Sequence, residues 1–543
     1  MYIRKVHIEN FKRFYRSFDI ELHEGINIVV GDNESGKSTI IEAIYLALTG
    51  LYNNKNIKNE LTKFIFNQTA VEEYIESVRA GHPIELPSIL IEIYLEGDDA
   101  ALFKGDVNSD DDEDCCGIFM WIKFDEQYNE EYAELIKSGI DSLPIEYYKV
   151  EWSSFAWNTS ITSRSIPMKA ALIDTSNAKS YNSSDIYVSR ILKDNLDTKE
   201  VVDVTQAFRI LENNFISDKK IEDLNDKINT ASHLSDRSIQ LAVDLSARNA
   251  WESILTAYLD KIPFTYIGKG EQNIIKTKLA LAHKRAQNAS IVLIEEPENH
   301  LSFSKMNELL YAISNECSEK QMLITTHSSF VANKLGLKNL ILLSNNKTSR
   351  LNDLTEDTQD FFMKLSGYDT LRILLCKKAI LVEGDSDELV VQRAYLDKYG
   401  KLPIEDNIDV ISARNLSFLR YLEIAKQLMI PVCVVTDNDG DIDALERKYA
   451  AYKKHEYIKI CYDHTIDVEP AEINGKQYNC NTLEPKILKA NSRDILNSIF
   501  STDLQDDNSL RKYMKENKTE CALRIFNSHH KINYPQYILD AIE

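Results

Sequence analysis

The chain alternates between short apolar runs and longer segments in which apolar residues recur every three or four positions. Residues 26–48 read INIVVGDNESGKSTIIEAIYLAL, which predicts a buried strand, a glycine loop and an apolar helix. Two more apolar strands follow, in SIVLIEEPENHL and QMLITTHSSF. The first two thirds of the chain are therefore predicted to have an α/β organisation.

The last third has the same kind of alternation. KKAILVEG, NIDVI and PVCVVTD are strand patterns, and the segments between them, SDELVVQRAYLDKYG and SFLRYLEIAKQLM, are helical patterns. This order predicts a compact parallel sheet with helices packed on it. Ligands of such sheets collect at the C-terminal ends of the strands, so the residues that follow each strand are the candidates for chemistry.

Length and composition fit a protein of several globular domains. At 543 residues the chain can bury more than one core, and its 43% hydrophobic and 27% charged residues are ordinary. No apolar run reaches the roughly 18 residues of a membrane span. The eight cysteines include one adjacent pair, Cys115 and Cys116, and no CxxC, so neither a disulfide framework nor a zinc site is supported. We expect a cytoplasmic protein that does not contact a membrane.

The net charge of −22 taken alone argues against a nucleic-acid partner, because phosphate binding scales with local positive charge. Two effects weaken this argument. Carboxylates gathered around divalent ions attract phosphate through the metal, and a basic groove can lie within an acidic total. The motifs therefore decide the question.

A phosphate-binding loop is the first motif. GDNESGKS, which starts at Gly31, fits GxxxxGK[ST] between a strand and a helix, the context that makes this pattern specific. Gly31 and Gly36 let the backbone fold round a phosphate, and Lys37 would reach the outer phosphates. Ser38, with Thr39 beside it, would ligate magnesium. The predicted nucleotide-binding residues of the loop are Gly31, Asn33, Gly36, Lys37, Ser38 and Thr39.

Two later strands carry the rest of a nucleotide site. SIVLIEEPENHL delivers Glu295, which would hold the magnesium-bound water, and Glu296, which could polarise the attacking water. An acidic surface turn after a buried strand is the alternative. QMLITTHSSF leads to His327, which could contact the γ-phosphate or be a strand-end residue without that role.

This order of motifs resembles the ABC-type ATPases of the DNA-repair and chromosome-maintenance class. The resemblance implies a glycine signature before the acidic strand, and GKGEQNIIKTKLALA, with Gly268, Gly270 and Gln272, occupies that place. It departs from the usual LSGGQ. A signature of this kind contacts the γ-phosphate of a partner subunit, so the resemblance implies a homodimer or a higher oligomer with ATP between two copies.

The region between the loop and the signature is longer than a minimal P-loop domain needs and implies an insertion at about 51–260. Within it, about 200–262 has apolar residues at helical spacing, in AFRILENNFI and AWESILTAYL. These helices could form a dimerising arm or be ordinary core helices.

The last third carries carboxylates at the predicted strand ends. Asp437 and Asp439 are two residues apart, so an extended strand end would point both the same way. Glu383 and Asp387 are four apart and lie near each other if a helix starts between them. Oxygen ligands without nearby histidine or cysteine favour Mg²⁺ or Mn²⁺ over zinc.

These residues resemble the Toprim domain, in which a glutamate follows the first strand and a DxD pair follows a later one. An ATPase followed by a Toprim domain is similar to the OLD (overcoming lysogenization defect) family of nucleases, whose relatives include the nuclease subunit of Gabija antiphage systems. The resemblance implies that Glu484 is a further metal ligand and that Lys518 stabilises charge on the phosphate. One departure is ISARNLS, where the family often has a glycine-rich turn.

The predicted domains are an ATPase domain at 1–345, a linker at 346–372 and a Toprim domain at 373–543. The predicted function is an ATP-regulated, metal-dependent DNA endonuclease or nickase that acts in antiphage defence, with a companion such as a helicase as a possible partner. The predicted catalytic residues are Glu383, Asp437, Asp439, Lys518 and Glu296, and the predicted metal ligands are Glu383, Asp387, Asp437, Asp439, Glu484 and Ser38.

Two other functions stay open. The first is an ATP-driven DNA-binding clamp or sensor whose Toprim domain binds metal without cleaving, although a degenerate clamp would be expected to have lost some of the carboxylates. The second is a topoisomerase or primase. About a hundred residues after Asp441 are too few for a separate tyrosine-bearing cleavage domain, and no zinc-binding segment is visible.

Overall fold

The computed structural model describes most of the chain. The described residues are 1–53, 55–97, 100, 103–110, 114–156, 161–162, 165–174, 196–231, 241, 257–282, 289–316, 320–344, 346–351, 354–364, 370–414, 418–468, 472–473 and 476–543. They divide into two compact units. The first contains Met1–Thr326 and Leu343–Thr348, and the second contains His327–Leu342 and Ser349–Glu543.

An antiparallel sheet begins the first unit. Its strands lie in the order Ser17–Glu21, Tyr2–Glu9, Ile89–Glu96, Cys115–Phe124 and Lys104–Gly105, and Tyr148–Ser154 also pairs with Cys115–Phe124. A register shift between Ile3 and Lys5 keeps Ile3 on the buried face together with Val6 and Ile8. The opposite face carries polar side chains, among them His7.

A second sheet contains the strands that the apolar runs predicted. Its order is Ala170–Asp174, Ile291–Glu295, Gln321–Thr325, Ile26–Gly31, Leu340–Ser344 and Lys347–Arg350. The first four are mutually parallel and largely buried, which explains why their sequences are apolar without alternation. Because they are parallel, Gly31, Glu295 and Thr325 lie at the same edge of the sheet.

Within its described residues, the first unit has the α-helices Lys37–Thr49, Ile57–Glu60, Gln68–Arg79, Asn129–Ser138, Thr198–Ile216, Lys219–Ala231, Lys269–Ala282 and Phe303–Glu316. The described residues also form two short hairpins, Leu51–Tyr52 with Lys55–Asn56 and Tyr258–Leu259 with Ile262–Pro263.

The helical prediction for about 200–262 is correct up to residue 231, where the helices Thr198–Ile216 and Lys219–Ala231 lie. Residues 232–240 and 242–256 of the segment lie outside the described part of the chain. The end of the segment forms the hairpin at Tyr258–Leu259 instead of a helix. Asp260 and Lys261 have positive φ angles of 46° and 69°, which produce a tight turn and end any helical pattern.

The second unit is built on a four-stranded parallel sheet in the order Ile408–Ser412, Lys378–Val382, Val432–Val435 and Ile458–Cys461. The α-helices that follow the strand Lys378–Val382 in the chain are Asp385–Tyr399, Phe418–Leu428, Ile442–Tyr449, Leu483–Ala490, Arg493–Phe500, Asp507–Glu516, Lys518–Asn527 and Gln536–Ile542. A small hairpin joins Glu472–Ile473 to Lys476–Gln477. Among the helices that the structure describes, none is long and apolar enough to cross a membrane.

The stretch predicted as a linker, 346–372, contains the strand Lys347–Arg350, the helix Glu356–Lys364 and the start of the helix Thr370–Leu375. Together with the helix Ser329–Leu335, these helices pack within the second unit. Thr358 Oγ1 donates to Glu423 at 2.6 Å and Thr370 Oγ1 donates to Asn333 at 2.6 Å. The polar residues of this stretch therefore make specific hydrogen bonds.

Candidate nucleotide and metal sites

The phosphate-binding loop has the conformation that its glycines predict. The strand Ile26–Gly31 ends at the loop, and the helix Lys37–Thr49 begins directly after Gly36, which has a φ of 109°. A Cβ atom added to Gly36 would lie 2.8 Å from the Phe14 ring, which stacks on Phe18 at 3.9 Å between ring centroids. Both the backbone angle and the aromatic ring therefore require glycine at this position.

The side chain of Lys37 folds back into the loop and binds its backbone carbonyl groups. Its side chain is buried, and Nζ donates hydrogen bonds to the carbonyl oxygens of Gly31 at 2.9 Å and Asp32 at 2.8 Å. Burial lowers the pKa of Lys37, and the nearby carboxylates of Glu296 and Asp32 oppose that shift. The ammonium thus lies within the loop where the motif predicts phosphate binding.

The two acidic residues of the second motif are held in different ways. Ser38 Oγ donates to Glu295 Oε1, which brings together the two residues predicted to hold magnesium. Glu296 has a φ of 42°, and its carboxylate accepts a 2.9 Å hydrogen bond from Asn299 Nδ2. Asn299 was not recognised in the sequence as a residue that orients the predicted water-polarising glutamate.

The remaining predicted nucleotide residues lie where their motifs indicated. Asn33 is exposed in the loop and Thr39 is buried in the first helical turn. His327 follows the strand Gln321–Thr325, and Gly268 precedes the helix Lys269–Ala282. A Cβ on Gly270 would lie 2.5 Å from the carbonyl oxygen of His300, so this glycine permits a close backbone approach. Their contacts with nucleotide stay a prediction.

Gln272, in the candidate signature GKGEQ, stabilises the local backbone through hydrogen bonds. Its Nε2 donates to the carbonyl oxygens of Phe264 at 2.9 Å and Ile267 at 2.8 Å, and the side chain is buried. These bonds tie the start of the helix Lys269–Ala282 to the turn before it.

In the second unit, Glu383 and Asp437 meet at the C-terminal ends of two adjacent strands. Glu383 follows the strand Lys378–Val382, and Asp437 follows Val432–Val435. One oxygen of Glu383, Oε1, accepts hydrogen bonds from Thr436 Oγ1 at 2.6 Å and from the backbone N–H of Asp437 at 2.8 Å. Thr436, which the motif does not include, therefore orients the predicted metal ligand.

Glu484 and Lys518 join this pair from segments far away in sequence. Glu484 lies in the first turn of the helix Leu483–Ala490 and is only 5% exposed. Its Oε1 lies 3.0 Å from Lys518 Nζ, at the start of the helix Lys518–Asn527. Burial would lower the pKa of Lys518, but the charges of Glu484, Asp437 and Asp387 outweigh it and raise the pKa.

The carboxylates of this group repel one another. Burial, followed by the charges of Glu383 and Glu484, raises the pKa of Asp387 to about 7. Burial and the charges of Glu383 and Asp387 raise the pKa of Asp437 to about 9. A cation among them would relieve this repulsion.

The DxD pair differs from the prediction in its local geometry. The strand ends at Val435 and Asp439 has a φ of 46°, so the chain is not extended and the expectation of two parallel carboxylates on a strand end is wrong. Asp439 is exposed and accepts a 2.9 Å hydrogen bond from Asn479. Asp441 caps the helix Ile442–Tyr449 through the N–H of Ala444.

Two further residues hold the loops near the acids in place, and no sequence pattern pointed to either. Asn438 is buried, and its Nδ2 donates to the carbonyl oxygens of Asp463 at 2.6 Å and Thr465 at 3.1 Å. Lys486, which is 3% exposed, pairs with Asp463 at 2.7 Å and Asp467 at 2.8 Å. Lys486 lies on the same helix as Glu484.

The candidate metal ligands of this site are all carboxylates, which suit a divalent ion that prefers oxygen ligands. Across the residues that the structure describes, no group of three or more histidine, cysteine, aspartate or glutamate side chains is placed to hold a metal ion. Glu383 Oε1 accepts a hydrogen bond from Thr436, and Glu484 Oε1 lies 3.0 Å from Lys518 Nζ, so one oxygen of each carboxylate is already engaged. Partly buried carboxylates with raised pKa values nevertheless form a set that Mg²⁺ or Mn²⁺ suits better than zinc.

The fold and these two sites define a P-loop ATPase joined to a Toprim domain. The family described as "AAA ATPase domain" matches residues 1–332, and the family described as "Overcoming lysogenization defect protein-like, TOPRIM domain" matches residues 374–439. The chain belongs to the AAA ATPase domain family and carries an OLD-like Toprim domain at its C-terminal side, which matches an OLD-family ATPase–Toprim fusion. The predicted resemblance and fold class are confirmed.

Curated relatives match over a short segment. "DNA replication and repair protein RecF" of Clostridium novyi (strain NT) is 34% identical over 97 residues, 18% of this chain and 25% of the relative. RecF of Clostridium botulinum (strain ATCC 19397 / Type A) is 35% identical over 86 residues, 16% of this chain and 23% of the relative. The chain thus spans about a quarter of the length of the curated relatives it matches.

Solved structures show a weaker similarity. The Smc head bound to the C-winged helix domain of ScpA has a TM-score of 0.34 and 14% identity, over 64% of this chain and 97% of that chain. The SMC head domain from Thermotoga maritima has a TM-score of 0.30 and 11% identity, over 64% of this chain and 98% of that chain.

Proposed function

We propose that this chain is an ATP-regulated, divalent-metal-dependent DNA endonuclease or nickase that acts in antiphage defence. One observation carries the proposal. Glu383, Asp387, Asp437 and Glu484 form a mutually repelling group at the C-terminal ends of the strands of a Toprim domain, with Lys518 beside them. The match of this region to an OLD-like Toprim family supports the same reaction class.

Glu383, Asp387, Asp437, Asp439 and Glu484 would hold the ion or ions. A divalent ion held there supplies Lewis-acid activation of water and of the leaving oxygen in phosphodiester hydrolysis. Thr436 orients Glu383 through its hydroxyl hydrogen bond. Lys518, held as an ammonium by the surrounding carboxylates, would stabilise negative charge on the phosphate.

The nucleotide site would regulate this reaction. Gly31, Asn33, Gly36, Lys37 and Thr39 would bind ATP, Ser38 and Glu295 would hold Mg²⁺, and Glu296 would orient the attacking water, with His327 at the γ-phosphate. Gly268 and Gly270 would contact ATP bound to a second copy, which makes the active form a homodimer or a higher oligomer. The setting is cytoplasmic, with a companion defence protein such as a helicase as a further partner.

The test uses supercoiled plasmid with Mg²⁺ or Mn²⁺, with and without ATP. We expect wild type to nick the plasmid, Glu383→Ala to lose nicking, and Lys37→Ala to lose only its response to ATP. Asp441→Asn is the matched control, because it removes a charge from the same loop while asparagine still caps the helix. Nicking that persists in Glu383→Ala would overturn the proposed site.

A clamp that binds metal and DNA without cleaving is the alternative that the same assay detects. Wild type would then shift plasmid in a mobility gel in the presence of ATP, and neither metal would support nicking under any nucleotide condition. We expect cleavage instead, because the full set of carboxylates is present.

Nucleotide binding has its own test at Gly36. Gly36→Ala places a methyl group 2.8 Å from the Phe14 ring and on a positive φ, whereas Gly25→Ala has a positive φ and nothing within 4 Å. We expect Gly36→Ala to weaken binding of a fluorescent ATP analogue on the order of 100-fold, and Gly25→Ala to keep it with a loss of stability of about 1–2 kcal/mol. Equal affinity in the two variants would contradict this account of the loop.

A further inference from the structure

Three lysines recur at every third position in the last fifth of the chain. Lys512 and Lys515 lie on the helix Asp507–Glu516, and Lys518 begins the next helix, Lys518–Asn527. All three are exposed. Lys512 and Lys515 are three apart on one helix and are neighbours on its surface, with Cβ atoms about 5–6 Å from each other. Asn517, with φ −128° and ψ 39°, separates this helix from the one that Lys518 begins. We call Lys512, Lys515 and Lys518 the lysine track.

The track ends at the carboxylates of the Toprim domain. Lys518 Nζ lies 3.0 Å from Glu484 Oε1. Lys515 Nζ lies 5.0 Å from the centroid of the Tyr478 ring. Tyr478 is buried, and the helix Asp507–Glu516, which carries Lys515, packs against the helix Leu483–Ala490, which carries Glu484. Lys515 thus lies on a helix next to the metal-ligand candidate that Lys518 contacts.

The first two lysines of the track hold their charge without a carboxylate partner. Over the described part of the chain, neither Lys512 nor Lys515 forms an ion pair. Other exposed lysines of this unit do, as Lys364 with Asp360 and Lys398 with Glu543 show. Exposed lysines are common on helices and need no ligand to explain them. Their position on a helix that packs against the helix of Glu484, in a chain of net charge −22, does point to an anionic partner.

We propose that Lys512, Lys515 and Lys518 bind the sugar–phosphate backbone of DNA and lead the scissile phosphate to the carboxylates. The proposal rests on the proposed nuclease function and names the surface that receives the substrate. A row of ammonium groups suits a row of phosphates because lysine acts as a point charge on a flexible stem. Contacts of this kind position the DNA and carry no sequence information.

Binding of a short DNA duplex tests the track in the presence of EDTA, where cleavage does not interfere. The affinity of the full-length protein is measured between 50 and 200 mM salt. Each lost phosphate contact lowers the slope of log affinity against log salt by about 0.9. We therefore expect Lys512→Gln with Lys515→Gln to lower the slope by about 1.8. Lys512→Arg with Lys515→Arg should keep the wild-type slope, because the charges remain.

The matched control removes two other exposed lysines of the same unit, as Lys338→Gln with Lys454→Gln. We expect it to keep the wild-type slope. An equal fall in both pairs would overturn the track, because the effect would then be one of net charge. A Gln pair at 512 and 515 with the wild-type slope would also overturn it while wild-type nicking left the nuclease proposal intact. A wild type that neither binds nor nicks DNA would overturn both proposals.

Discussion

Two groups of carboxylates in this chain differ in how their charge is balanced. On the polar face of the antiparallel sheet, His7 contacts Asp19 at 2.8 Å and Glu9 at 3.1 Å, and Lys5 contacts Asp19 at 3.3 Å and Asp110 at 2.5 Å. Burial alone would raise the pKa of Asp19, but His7 and Lys5 outweigh it and lower the pKa. This group is neutralised by basic residues of its own sheet.

In the carboxylate group at the Toprim strand ends, the pKa values shift in the opposite direction. Burial and neighbouring carboxylates raise the pKa of Asp387 to about 7 and of Asp437 to about 9, although Lys518 contacts Glu484. The comparison teaches that the direction of the shift separates a cluster whose charge is balanced by neighbouring basic residues from one in which burial and neighbouring carboxylates disfavour the charged form. Acidic residues alone, which both clusters contain, do not make that distinction.

The variant Asp437→Asn tests this contrast and has the largest expected effect. We expect nicking to fall on the order of 100-fold or more, roughly 2.7 kcal/mol, because one member of the ion-binding set is lost. The metal-free protein should unfold at a higher temperature than wild type, because Asp437, whose pKa is raised to about 9, must take up a proton on folding at neutral pH and asparagine does not. The stabilisation by added Mn²⁺ should disappear.

Differential scanning calorimetry with and without Mn²⁺ measures both effects. Asp441→Asn serves as the control and should keep the response to metal, since Asp441 caps a helix. The contrast between the clusters is wrong if Asp437→Asn lowers metal-free stability and still responds to Mn²⁺ as wild type does.

The sequence predicted the parts of both sites that depend on strand ends. Glu295, Glu383 and Asp437 each follow an apolar strand of a parallel sheet, and parallel strands bring their C-terminal ends to one edge. Gly36 of the loop was predictable for a similar reason, since its local backbone conformation, with a φ of 109°, requires glycine. These features depend on local patterns, which a single sequence contains.

The sequence could not predict the residues that act through contacts between distant segments. Asn299, Thr436 and Lys486 orient other residues, and nothing in their neighbouring sequence sets them apart from surface residues. Glu484 and Lys518 were predicted through the family resemblance alone, because 34 residues of sequence separate two side chains that lie 3.0 Å apart. The predicted orientation of Asp439 was wrong because the chain turns after Val435 and leaves the extended conformation.

Lys486→Met tests charge balance within the Toprim domain itself. Lys486 is 3% exposed and pairs with Asp463 and Asp467, so we expect its loss to lower the free energy of unfolding by about 2–3 kcal/mol. Lys489 also pairs with Asp467 but is 62% exposed. Lys489→Met should therefore cost less than about 1 kcal/mol. Urea unfolding compares the two variants, and equal losses would contradict a structural role for the buried pair.

Thr436→Val tests how far the ion-binding set depends on orientation as well as charge. The valine removes a 2.6 Å hydrogen bond to Glu383 and keeps the shape of the side chain. We expect nicking to fall about tenfold at a fixed, subsaturating Mn²⁺ concentration, roughly 1.4 kcal/mol. Thr436→Ser keeps the hydroxyl and should restore the rate to near wild type. A serine variant as impaired as the valine variant would show that the methyl group, and not the hydrogen bond, is what matters.

The smallest effect lies in the balanced cluster and depends on pH. Burial lowers the pKa of His7, but its hydrogen bonds to Asp19 and Glu9 outweigh this and raise the pKa from 6.5 to about 9. Since the folded pKa is the higher one, the stabilisation is complete below about pH 6.5 and is lost as the pH rises through about 9. Asp19 and Glu9 are partly exposed, so we expect only about 1 kcal/mol. Urea unfolding of wild type and His7→Gln at pH 6 and pH 10 measures it, and a wild-type advantage that does not shrink at pH 10 would contradict a charged His7.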